Sequence, residues 1–203
     1  MSLRALGVGG FSFRARSMAW HDRRGTRVRS SDHRPADAGV IVVSDTSPLR
    51  YLTAVGGTEL LQLLFGEVAC PPEVITECLH RSAPPELRAW ASSPPSWLRI
   101  VPVSATTHSL GSGVVLGSGE TAALLLAREI KADLLLMDER KGRAVAGRMG
   151  LAVTGTVGVL VEAARRGLID FDEAIGVLKK QTNFWADDAV IATARRRVTS
   201  TSS

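Results

Sequence analysis

Two apolar runs organise the chain, and each ends in an aspartate: Val40-Ile41-Val42-Val43 leads through Ser44 to Asp45, and Leu134-Leu135-Leu136-Met137 leads to Asp138. A near-continuous Val/Ile/Leu run bounded by polar residues is the pattern of a strand buried on both faces, and so of a parallel sheet. Around these runs the punctuation is that of helices and short strands. Thr46-Ser47-Pro48 opens a helix with Ser47 as N-cap and Pro48 in the first turn, and helical segments follow over 49–54 and 59–65. Residues 66–70 read as a short strand, and Pro71-Pro72 starts a helix through about residue 80. A short helix over 84–92 ends at Ser92-Ser93-Pro94-Pro95-Ser96. The stretch 97–103 alternates as an edge strand, where Pro102 is tolerated. The pattern then predicts helix 120–130, strand 134–137, helix 140–149, strand 151–153 and helices 157–166, 171–180 and 187–197. Alternating strands and helices favour a layered α/β fold. No internal repeat interrupts it.

Charge divides the chain. The first 39 residues hold eight Arg and three Asp, a surplus of five, while Val40 to Ser203 carries seventeen basic and seventeen acidic side chains, so the net charge of +5 lies in the tail. The tail has Gly/Ser clusters and no apolar period, which predicts a disordered extension over 1–39. It reads either as a start assigned too far upstream or as an arm whose Arg attract nucleic-acid phosphates. Asp22, Asp32 and Asp37 argue against a transit peptide. The rest forms one domain over 40–197 with its own core, followed by a disordered tail over 198–203. There is no secretory apolar region, and the apolar stretches fall short of the roughly 20 residues of a membrane span. Cys70 and Cys78 lack metal-ligand spacing and read as reduced core thiols. The expectation is a cytoplasmic protein without membrane contact.

In open α/β sheets, ligands sit at the carboxyl ends of strands, so Asp45 and Asp138 could share a site. A carboxylate straight after Ile41-Val42-Val43 costs heavy desolvation unless it meets a cation or hydrogen-bond donors. For Asp45 those donors could be the next helix's amides, and for Asp138 they could be those of the helix from Arg140, with Glu139 beside it. Glu120 follows Gly117-Ser118-Gly119 and opens an apolar helix, where the macrodipole alone would favour it. Glu77 sits about 130° from the centre of the face formed by Val74, Ile75, Cys78 and Leu79, on a flank, where a solvated side chain and a site residue are equally in keeping with the pattern.

The body resembles the PIN-domain family, in the toxin-like nuclease branch usually described only as predicted nucleic-acid-binding. The residues that carry the resemblance are Asp45-Thr46-Ser47-Pro48-Leu49, then Pro71, Val74 and Glu77, then Leu116-Gly117-Ser118-Gly119-Glu120-Thr121-Ala122. It continues through Leu134 to Glu139, Arg143, Ala146 and Gly150 to Thr156. It implies a three-layer α/β/α domain with a central, mainly parallel sheet of about five strands. It further implies Asp45, Glu77, Glu120 and Asp138 as catalytic acids, and Asp45, Glu120 and Asp138 as ligands of Mg²⁺ or Mn²⁺. Ser47 matches the hydroxyl residue that helps orient the first Asp. Glu139 stands where many relatives have a second Asp, and Thr156 where some place a further acid. The resemblance implies an RNA substrate, with an antitoxin protein and a homodimer as candidate partners.

Hard divalent ions prefer oxygen ligands, and such an ion can activate water, neutralise phosphate and stabilise the leaving oxygen, two ions about 4 Å apart dividing those tasks. His80 and His108 show no spacing with Ser or Cys that suggests a triad. A dehalogenase-type phosphatase needs a second Asp where Ser47 stands, and a receiver domain needs paired acids near the first strand. The Gly-Ser runs lack the Lys-Ser/Thr of a phosphate loop. Arg140, Lys141 and Arg143 are candidate RNA-binding residues, with a plain solvated face as the alternative; Phe184-Trp185 reads as packing. The resulting expectation is a metal-dependent endoribonuclease, the toxin of a toxin–antitoxin pair. The alternative is a noncatalytic PIN-type RNA-binding or protein-interaction module.

Overall fold

The computed structural model describes residues 39–104 and 114–200. The Arg-rich tail over 1–38, residues 201–203, His108 and the first Gly-Ser run lie outside them, whereas residues 198–199 of the expected disordered C-terminal tail are the end of the last helix. Five parallel strands, β1 (Val42–Ser44), β2 (Val68–Cys70), β3 (Leu98–Ile100), β4 (Leu134–Leu136) and β5 (Val153–Thr154), form one sheet in the order β3-β2-β1-β4-β5. The chain builds outward from β1 to one side, then returns to lay β4 and β5 on the other. The β1/β4 boundary is therefore the topological switch point, the place where such sheets open a crevice.

Alternation along the strands feeds two cores. Val42, Leu134 and Leu136 face α1 (Thr46–Ala54), α2 (Glu59–Phe65), α7 (Thr156–Arg165), α8 (Phe171–Gln181) and α9 (Asp188–Thr199) through Leu49, Leu52, Leu60, Leu160, Ile175 and Ile191. Val43, Leu135 and Met137 face α5 (Ser118–Glu129) and α6 (Arg140–Arg148) through Ala123, Leu124, Leu126, Val145 and Ala146. This is the three-layer architecture that near-continuous apolar strands require, since both faces must be covered. The helix α3 (Pro72–Leu79) packs on α4 (Pro85–Ser92), α1 and α5. The expected edge strand is β3, at the sheet's border.

Several boundaries differ from the expected ones for local reasons. Asp45, not Ser47, is the N-cap residue of α1, which already begins at Thr46, so Pro48 takes the third helical position, where an amide would have no intrahelical partner anyway. α5 starts at Ser118 rather than 120, because Glu120 reaches back to accept from the Gly117 amide at 2.9 Å. That is one half of a capping box; glycine has no side chain for the other. β5 starts at Val153 because the preceding residues finish α6. Gly150, at φ +74°, donates to Gly147, and Leu151 donates to Ala146, a Schellman closure that needs the left-handed glycine.

Candidate functional site

β1 delivers Asp45 to the switch point with its amide on the Leu136 carbonyl at 2.9 Å. The side chain is only 1% exposed, and its Oδ1 has no hydrogen-bond partner. Burial pushes the carboxyl up to about 7 from 3.8; the Thr46 and Ser47 amides offset part of the rise, and the charges of Glu120 and Glu77 add to it. A carboxylate this buried with an empty acceptor is expensive unless something positive meets it.

Glu77 and Glu120 reach the same place from two other helices. Asp45, Thr46, Ser47, Arg50, Glu77, Gly117 and Glu120 line one cavity of about 280 Å³. The flank position of Glu77 does not leave it free in solvent. Its Oε2 accepts from the Thr46 hydroxyl at 2.6 Å and its Oε1 from the Gly119 amide at 2.7 Å, tying α3 to the first turns of α1 and α5. Gly119 is a close-approach glycine: a Cβ there would lie 2.5 Å from Glu77 Oε2. Glu120 spends Oε2 on Gly117. Ser47 acts through its backbone amide on Asp45 and as part of the cavity wall.

Asp138 does not line this cavity. Pairing sets Ser44 opposite Leu136, which leaves Asp138 one residue out of phase with Asp45, and a one-residue offset reverses the face a side chain takes. Asp138 turns to α7, accepting from the Thr156 amide at 2.8 Å and the Thr156 hydroxyl at 2.6 Å. Burial raises its pKa, while the Thr156 bonds and the Arg143 charge hold it down. It is thus a cap for α7, not for α6, whose N-cap residue is the exposed Glu139. Thr156 is fully buried and serves as the donor that holds Asp138. Of the expected RNA-binding residues, Arg140 and Lys141 are exposed, whereas Arg143 is half-buried and donates to the Met137 carbonyl at 2.8 Å.

Arg50 and Tyr51 escaped the sequence reading. Arg50 brings a cation to the cavity wall, and its Nη2 donates to Asn183 Oδ1 at 3.1 Å. Tyr51 packs edge-on against Phe184, ring centroids 5.1 Å apart; burial raises its hydroxyl pKa, the Arg50 charge opposes this, and the Asp138 and Glu139 charges add to it. Trp185 does not pack as expected and is 82% exposed. His80, expected to belong to no triad, has Nδ1 2.7 Å from Ser82 Oγ, but both lie exposed in the turn after α3 and form a local contact two residues apart.

Among the described residues, no three Asp, Glu, His or Cys side chains stand close enough to surround one ion. Mg²⁺ does not require such a cage, since it keeps several waters and takes only one or two carboxylates. The all-oxygen donor set and the partnerless, buried Asp45 Oδ1 fit a hydrated divalent cation held by Asp45 and Glu120, with Glu77 beside them. Among the described residues no helix is long and apolar enough to cross a membrane. Residues 41–200 match a family model described as a PIN domain. A search of curated proteins returns no match.

Proposed function

The chain belongs to the PIN-domain family, whose members are generally nucleases, and on that premise we propose that it is a Mg²⁺- or Mn²⁺-dependent endoribonuclease acting at the Asp45 cavity. The observation that carries the reading is Asp45, a buried carboxylate with a partnerless Oδ1, on the wall of a cavity that Glu77 and Glu120 also line. Negative charge concentrated at one point attracts a divalent cation and draws Asp45 into its ionised form. Asp45 and Glu120 would hold the ion. When bound, it supplies phosphate neutralisation and an activated water. Glu77 keeps the first turns of α1 and α5 at the spacing that places the other two acids. Asp138 and Thr156 brace the β4 end of the crevice from the α7 side. The family resemblance extends the reading to a toxin restrained by an antitoxin protein.

A second reading has its own support: Glu77 and Asp138 use both carboxylate oxygens on protein donors, and Glu120 uses one. Acids engaged in this way could be purely structural in a noncatalytic RNA-binding module. Metal-dependent cleavage separates the two. Purified protein should cut RNA with Mg²⁺ or Mn²⁺, stop in EDTA, and lose cleavage with Asp45→Asn. RNA that is bound but never cut across a broad panel, with either metal, would favour the noncatalytic reading. Coexpression with the product of a small neighbouring gene tests the toxin assignment, which predicts rescue of growth.

A further inference from the structure

Arg50 is, among the described residues, the one cation on the wall of a cavity that also holds Asp45, Glu77 and Glu120. It forms an ion pair with none of them. Its guanidinium is held by neutral groups instead. Asn183 Oδ1 accepts from Nη2 at 3.1 Å, and Cζ lies 5.8 Å from the centroid of the Tyr51 ring. Tyr51 in turn is packed edge-on by Phe184 from the same 183–184 segment. A long, flexible side chain beside three carboxylates would gain by swinging onto one of them, so contacts that hold it away keep its charge available. A guanidinium carries five N–H donors in a planar fork that matches phosphate oxygens. Only one donor is used here within the described residues.

We infer that Arg50 is a substrate-binding residue that grips a backbone phosphate of the RNA strand entering the cavity, and that Asn183 is the positioning residue that holds its fork ready. The inference rests on the nuclease reading above and supplies what that reading lacks: acids alone repel a polyanion. Without such a cation, the strand would be drawn in by the metal ion only. Arg50 adds an attraction fixed in the protein.

Binding of a fluorescein-labelled single-stranded RNA oligonucleotide of mixed sequence, in the Asp45→Asn background and in EDTA, isolates this step from cleavage. Adding Arg50→Ala should weaken binding about tenfold or more and lower the slope of log affinity against log salt by about 0.7, the value for one phosphate on a single strand. Arg50→Lys should keep the slope and lose part of the affinity, because a point charge lacks the fork. Asn183→Ala should leave the slope unchanged, weaken binding severalfold and, in the otherwise wild-type chain, raise KM more than it lowers kcat. Unchanged affinity and slope in Arg50→Ala would overturn the inference, as would failure of the Asp45→Asn parent to bind the oligonucleotide. Wild-type protein that never cleaves, while binding still depends on Arg50, would sink the catalytic reading alone. Intact cleavage with Arg50-independent binding would sink this one alone.

Discussion

Asp45→Asn, measured in protein stripped of divalent ions, should make the fold more stable at pH 8 and less stable, by about the 1–3 kcal/mol of an unpartnered buried amide, at pH 4. Burial raises the Asp45 carboxyl from 3.8 to about 7, so the native state holds its proton where the unfolded chain has released it. The contribution of the protonated group is fully present below about pH 4 and is lost as pH climbs through 7. At about 1.36 kcal/mol per unit, the shift corresponds to a cost of about 4 kcal/mol once Asp45 is ionised. Asparagine removes the charge but brings a buried amide that needs partners, worth about 1–3 kcal/mol if it lacks them. The net gain at pH 8 is therefore about 1–3 kcal/mol, or roughly 2–4 °C of Tm per kcal/mol for a domain of this size. Urea denaturation followed by circular dichroism in EDTA, at intervals from pH 4 to 8, reads this as a difference between the two proteins. Asp138, whose pKa is also raised, titrates in both and cancels. Adding Mg²⁺ at pH 8 should then stabilise the wild type by about 2.7 kcal/mol at a hundred times its Kd and have little effect on the variant. A stability difference that does not change with pH would refute the argument that an uncompensated buried charge sits at the end of β1.

The double engagement of Glu77 makes Ala and Gln informative together. Glu77→Ala strands the Gly119 amide and the Thr46 hydroxyl and should cost about 1–3 kcal/mol, whereas Glu77→Gln should keep most of the stability and show in cleavage assays what the charge itself contributes. Gly119→Ala would put a methyl 2.5 Å from Glu77 Oε2. Chemical denaturation should therefore show a loss of about 1–3 kcal/mol as Glu77 is driven off its donors, and cleavage should fall with it. Cys70 and Cys78 are buried and free, and burial pushes both thiols up to about 12, the Cys78 charge adding to the rise at Cys70 and those of Glu77 and Asp45 to the rise at Cys78. Alkylation of the native protein should consequently be slow and track unfolding; fast labelling at pH 8 would contradict this burial.

The elements were legible because their signals are local. An apolar run closed by Ser44-Asp45 can satisfy its backbone and bury its side chains only as an interior strand, and Pro72 and Pro85 mark helix starts by chemistry that depends on no distant residue. Family motifs pointed to Asp45, Glu77 and Glu120, and all three line one cavity. What each carboxylate touches is decided by register and by crossings between distant elements. Asp45 and Asp138 look alike along the chain, yet the Ser44–Leu136 pairing turns one to the cavity and the other to Thr156. The angular position of Glu77 on its helix suits a solvated side chain as well as a site residue until α5 brings the Gly119 amide against it from 42 residues away. Arg50 sits on a helix that would pass for an ordinary amphipathic one, and its hydrogen-bond partner Asn183 comes from 133 residues further on. Periodicity and capping act over a few residues, so sequence alone determined the strands and the helices, and the family motifs named the candidate acids. The partners of those acids, and the cation beside them, follow from packing that only the tertiary structure decided.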